Sequence, residues 1–194
     1  MIRLKPLPRS FYDRNAIKVA PDLLGCVLAR RARRGWLLGR IVEAEAYVGE
    51  HDLACHARAG RTARTEVMYG EPGHAYVYLI YGIHSMLNAV CGPGSDANAV
   101  LIRAAEPVEG SLPWLHAGAT GPGNLCSAFG IERRHNRADL CAARGELLIL
   151  SRSRRPRIAR GPRIGVDYSG PWAAEPLRFW DAASAHVSRG AKTR

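Results

Sequence analysis

His74-Ala-Tyr-Val-Tyr-Leu-Ile-Tyr-Gly-Ile-His-Ser-Met-Leu-Asn-Ala-Val-Cys91 is the stretch from which the fold is read. Two apolar, aromatic-rich runs are hinged near Tyr81-Gly82, and glycine at a hinge admits the positive φ that a tight reversal requires. The pattern predicts a β-hairpin with Tyr81 at or near its tip. Side chains alternate along a strand, so Tyr76 and Tyr78 share a face while Tyr81 falls on the opposite face or at the bend.

Working outward, residues 22–48 read as a short helix ending at Gly25, a strand over 26–31, a turn through 32–35 and a strand over 36–47, which is another hairpin. Residues 49–73 are polar, charged and punctuated, the composition of a long functional loop. A strand is expected over 99–105, a short helix over 124–129 after Gly121-Pro-Gly, and short strands over 146–150 and 164–166. There is no internal repeat. With 194 residues, 47% of them hydrophobic, the chain can bury one sizeable core. One domain is expected over 1–187, with a frayed tail over 188–194.

Lys plus Arg number 28 against 17 Asp plus Glu, a net charge of +11. An anionic partner such as nucleic acid or an acidic membrane surface is physically favoured, although many basic proteins bind nothing specific. Only Lys5, Lys18 and Lys192 are lysines, which all but removes a Schiff-base nucleophile from the middle of the chain. Five cysteines, odd in number and without a Cys-x-x-Cys pair, read as reduced thiols. The first residues lack the apolar run of a signal peptide, and no stretch is long and apolar enough to span a bilayer. A soluble cytoplasmic protein without membrane contact is expected, associated with the nucleoid if the source is bacterial.

Several groupings could carry chemistry. Glu43, Glu45 and Tyr47 in Val42-Glu-Ala-Glu-Ala-Tyr47 would share one strand face, giving two carboxylates beside a ring, as acid/base hydrolysis requires. Alternation alone fits a solvent-facing strand more readily. His51, Asp52, Cys55 and His56 have a spacing that resembles a metal site, yet no second ligand pair of matching spacing occurs elsewhere, so a stacked or hydrogen-bonded histidine is the expectation and no metal is implied. Tyr81 at an exposed bend could be a wedge that enters a base stack. Gly121-Pro-Gly-Asn-Leu125 could present N–H groups to a phosphate or simply turn before a helix. The six arginines and two prolines of residues 151–163 mark a loop, either solvated or facing phosphate.

Taken together, Gly39-Arg-Ile-Val-Glu-Ala-Glu-Ala-Tyr47, Pro72-Gly-His-Ala-Tyr-Val-Tyr-Leu-Ile-Tyr-Gly82, Val100-Leu-Ile-Arg-Ala-Ala-Glu-Pro107, Gly121-Pro-Gly-Asn-Leu-Cys126 and Pro176-Leu-Arg-Phe179 closely resemble the alkyladenine (3-methyladenine) DNA glycosylase family. This is the type that opens DNA with a β-hairpin rather than a helix-hairpin-helix. The resemblance implies a single α+β domain, a curved and mostly antiparallel sheet with short helices and a protruding hairpin. It also implies an enzyme of base-excision repair, acting as a monomer on double-stranded DNA with damaged purines and needing no cofactor.

By the same resemblance the catalytic candidates are Glu45, which would deprotonate the attacking water, and Arg103, which would position that water and the DNA backbone. Tyr47 on one side and His56 with Tyr78 on the other would sandwich the flipped base. Asn88 would crowd the guanine 2-amino group, and Tyr81 would fill the space the base vacates. Three departures from the family pattern stand out: Thr65 after Arg64 where asparagine is usual, Asn124 where lysine usually follows Gly-Pro-Gly, and Ser85 where an aromatic commonly follows His84. A non-catalytic nucleic-acid binding module and a metal-dependent hydrolase using His51, Cys55 and His56 are the competing readings.

Overall fold

The computed structural model describes residues 5–116, 118–152 and 154–188. Two short helices, α1 (Arg9–Tyr12) and α2 (Ala16–Leu23), open the chain. Asn15 starts α2 by accepting the Ile17 N–H at 2.9 Å, which satisfies a donor that a helix start leaves unpaired. Ala16, Val19, Ala20 and Leu23 are buried at the spacing that turns one helical stripe inward. The helix expected at 22–25 is therefore the end of a longer one, whose start at Asn15 the sequence reading passed over.

Strands β1 (Val27–Ala32) and β2 (Gly35–Val48) form the first hairpin, and β3 (Ala75–Ile80) and β4 (His84–Cys91) the second. There follow β5 (Asn98–Pro107), the two-residue β6 (Ala119–Thr120), helix α3 (Pro122–Phe129), β7 (Leu147–Leu150), β8 (Ile158–Gly161) and β9 (Arg178–Asp181). Every pairing among these strands is antiparallel. The sheet runs β3-β4-β5-β2-β1-β7, with β6 against β5 and β9 against β2, carrying β8. The α+β architecture expected from the resemblance is present.

The 14-residue β2 organises the sheet. Along one edge it pairs with β5, and along the other it pairs with β1 and then, from Glu43 to Glu45, with β9. Its register against β5 slips between Ile41 and Glu43 and slips back between Glu43 and Ala44, so that Val42 on β2 and Arg103 on β5 have no opposite number. An extra residue reverses the parity of a strand. Leu37 and Ile41 face the main core before the bulge, whereas Ala44, Ala46 and Val48 face it afterwards. Glu43, Glu45 and Tyr47 are thereby turned to the other face together.

Three expectations are corrected. Residues 164–166 form no strand but irregular backbone, while β8 and β9 occupy segments not anticipated as strands. Part of the arginine-rich stretch 151–163 is consequently sheet rather than loop. Ser188, assigned to the tail, is buried and hydrogen-bonded to Glu43, and residues 189–194 lie outside the described residues. All five cysteines are free, and burial pushes the thiols of Cys26 and Cys55 up to about 11.

Candidate active site

On the face that the bulge presents, Glu43 and Glu45 are both withdrawn from solvent. The solvent-facing alternative for this strand is overturned, because Arg103, Arg178, the backbone at Ile164 and Ser188 close on the two acids. Arg103, the unpaired residue of β5, serves both acids: Nε donates to Glu43 Oε1 at 2.9 Å and Nη1 lies 3.2 Å from Glu45 Oε2. Burial opposes the Arg103 charge, and Glu45 and Glu43 more than offset it, holding the guanidinium above its ordinary value.

The two acids have different partners. Glu43 accepts from the Ser188 N–H at 2.7 Å and from its hydroxyl at 2.8 Å, with Arg178 Nη1 3.8 Å away. Glu45 accepts the Tyr47 hydroxyl on Oε2 at 2.9 Å and the Ile164 N–H on Oε1 at 2.8 Å. Burial, and then the Glu45 charge, raise the Tyr47 pKa well above the ordinary phenol, so Tyr47 is a neutral donor.

Above Glu45 lies a cavity of about 440 Å³ whose walls include Tyr47, His56, Tyr78, Asn88 and Arg103, with Tyr81 and Tyr168 also lining it. Ile164, whose N–H holds Glu45, is a wall residue too. The volume suits a small planar molecule and is mostly enclosed by rings and aliphatic groups. His56 and Tyr78 meet edge to face with centroids 4.5 Å apart. The His56 Nδ1 and the Tyr76 hydroxyl are hydrogen-bonded at 2.9 Å. Burial, with Arg64 and Arg58 nearby, lowers the His56 pKa to about 4, leaving a neutral imidazole near pH 7. Asn88 Nδ2 donates to the Tyr76 carbonyl at 3.1 Å, which fixes its amide at the wall.

Tyr81 is at the bend, as expected, and is 87% exposed. Its φ is +52° and that of Gly82 is +74°, a left-handed pair that glycine accepts freely and tyrosine does not. Among the described residues no group of three or more His, Cys, Asp or Glu is placed to hold a metal ion. His51 instead packs near Trp172, with ring centroids 5.6 Å apart, and His56 belongs to the tyrosine wall. Thr65 is buried, donating its hydroxyl to the Gly60 carbonyl and accepting the Thr62 N–H. This departure from the family pattern therefore comes with an ordered loop. Asn124 turns its amide back to the Thr120 carbonyl at 2.9 Å.

All seven residues singled out from the sequence gather here: Tyr47, His56, Tyr78, Tyr81, Asn88 and Arg103 line the cavity, and Glu45 lies directly behind its wall. Sequence reasoning missed Arg163, Arg64, Tyr168 and the backbone of Ile164. Arg64 stands over the Tyr78 ring at 5.1 Å, and Arg163 over the Tyr47 ring at 4.7 Å. Arginines in a charged stretch carry no sequence signal that separates such ring contacts from solvated ones.

The profile of the methylpurine-DNA glycosylase family matches residues 10–185 of this chain. A Myxococcus xanthus protein named "Putative 3-methyladenine DNA glycosylase" is 53% identical over 184 residues, covering 95% of this chain and 94% of its own. Proteins of the same name from Methanocella arvoryzae and Legionella pneumophila (strain Corby) are 50% and 41% identical, covering 95% and 96% of this chain and 96% and 100% of theirs.

Proposed function

The chain belongs to the methylpurine-DNA glycosylase family, and from that premise we propose that it rotates a damaged purine out of duplex DNA into the cavity and hydrolyses its N-glycosidic bond with a water held at Glu45. The observation that carries this reading is the sharing of Glu45 Oε2 by Tyr47 and Arg103, two residues that also line the ring-walled cavity. A carboxylate has about four acceptor positions. Among the described residues, three donors (the Tyr47 hydroxyl, Arg103 and the Ile164 N–H) meet Glu45, which leaves one acceptor position for the water that this reading requires.

In this reading the water oxygen bonds to the sugar C1′, its proton passes to Glu45, and the C1′–N bond breaks with its electrons going to the departing purine. The sugar develops oxocarbenium character as the bond stretches, and a carboxylate close to it stabilises that charge. A purine alkylated at ring nitrogen N3 or N7 is already cationic, leaves readily and is attracted to ring faces such as those of Tyr47 and Tyr78. Flipping costs a few kcal/mol, least for a damaged or mispaired base, and the exposed Tyr81 has the position to occupy the gap. With no lysine among the lining residues, the product is an abasic site rather than a cut strand.

Glu45→Gln tests the reading: the variant binds lesion-containing duplex and releases no base. Turnover by that variant, or binding by the native protein with no base released from alkylated DNA, overturns it, the second result favouring a non-catalytic binding module.

A further inference from the structure

Behind the cavity wall lies an ion pair that the chemistry above does not use. Arg163 and Asp52 are both buried and make a forked contact, Nη1 to Oδ2 at 2.6 Å and Nη2 to Oδ1 at 2.9 Å. Asp52 also accepts the Val48 N–H at 3.1 Å and the Ala54 N–H at 3.0 Å. Arg163 in turn donates to the Ala46 carbonyl at 2.9 Å and the Trp172 carbonyl at 3.4 Å. Burial opposes its charge, while Asp52 restores it.

The position of this pair is more telling than its strength. Arg163 packs over the ring of Tyr47 without lining the cavity, so it backs the ring from the side away from the open space. The next residue, Ile164, supplies the N–H on Glu45 Oε1. Asp52 sits in the loop that leaves the end of β2 just after Tyr47, where Gly49 adopts φ +73° and a Cβ would meet the Asp96 carbonyl oxygen at 2.4 Å. One fork thus ties two distant segments to the strand carrying Glu45 and Tyr47. A bidentate guanidinium–carboxylate pair has a defined geometry that a single point charge lacks.

We propose that Asp52 and Arg163 are positioning residues of the excision site, holding the Tyr47 ring and the Ile164 N–H in fixed relation to Glu45 without touching the base. The inference rests on the glycosylase reading above. Misplacing reacting groups by about 1 Å can cost on the order of a hundredfold in rate. Loss of the fork therefore lowers the rate at saturation more than it weakens DNA binding, which depends on the hairpin and the basic surface.

The test uses the full chain in single-turnover base release at saturating enzyme, alongside binding to duplex carrying an abasic site. Removing one partner strands a buried charge, so the informative variant removes both: Asp52→Leu with Arg163→Met. Arg163→Lys, which keeps the charge but not the fork, is the second variant should the first not fold. The expected result is a folded protein whose abasic-site affinity stays within about threefold of native and whose base release falls by roughly a hundredfold. Arg163→Lys recovers little of that rate. A rate within about threefold of native, or a loss confined to DNA affinity, would overturn the proposal. Absence of base release by the native protein would instead sink the glycosylase reading itself.

Discussion

Arg103 Nη1 lies 3.2 Å from Glu45 Oε2, with both side chains almost wholly withdrawn from solvent. The same guanidinium bonds Glu43 through Nε, so one cation stands between two buried acids. Breaking a buried ion pair from one side costs about 3–5 kcal/mol, because the remaining charge has no water to turn to. Arg103→Ala should therefore lower unfolding stability in urea by about that amount. A loss under about 1 kcal/mol would mean that the acids find other partners.

Tyr81 calls for the opposite outcome. Its side chain is 87% exposed, and its backbone stands at φ +52°, so the fold gains little from a tyrosine there. Asparagine tolerates this backbone better, and Tyr81→Asn should leave stability unchanged or raise it by about 0.5 kcal/mol. Affinity for lesion-bearing duplex should fall at least about tenfold, the scale of one lost base–aromatic contact. Equal affinity in fluorescence anisotropy would remove Tyr81 from the DNA contact.

His56 ties stability to pH. Its pKa is about 4 in the folded protein, against an ordinary 6.5. Between those values the unfolded chain binds the proton and the folded chain does not, so protons favour unfolding there. This contribution to stability is intact above pH 6.5 and declines as pH falls towards 4. Urea midpoints of native protein and His56→Asn, measured from pH 4.5 to 7, should show a shallower slope for the variant. Parallel curves would contradict the assignment.

Asn88 is held at the wall by its bond to the Tyr76 carbonyl, and the family resemblance gives it the role of crowding guanine. Asn88→Ala should raise release of undamaged guanine relative to alkylated adenine by about tenfold, since a single steric contact discriminates by 1–3 kcal/mol. An unchanged ratio of the two rates would place that selectivity elsewhere.

Binding should also weaken steeply with added salt, as basic side chains displace counterions from DNA. A flat salt dependence of abasic-duplex affinity would contradict a phosphate-tracking surface. Among the described residues, no helix is long and apolar enough to cross a membrane.

What was legible beforehand was local. Alternating aromatics around Tyr81-Gly82 specify a hairpin and its tip, because strand alternation and glycine's positive φ are properties of neighbouring residues. The same alternation places Glu43, Glu45 and Tyr47 on one face. It could not say which face, since that depends on a slip in register against β5, and pairing register is set by residues some 60 positions away. Nor could alternation reveal that the acids are buried. Their cover comes from Ile164, Arg178 and Ser188, brought in by strands β8 and β9 that were too short and too polar to be recognised.

The sequence by itself therefore determined the hairpins, the shared strand face of the two glutamates and, through its motifs, the family. Only the tertiary structure decided that Val42 and Arg103 would bulge and that one guanidinium would bridge both acids. It also paired Asp52 with Arg163 across 111 positions to back the Tyr47 ring. The physical reason is that backbone preference acts over a few residues, whereas burial of charge is settled by whichever distant donors the packed chain delivers.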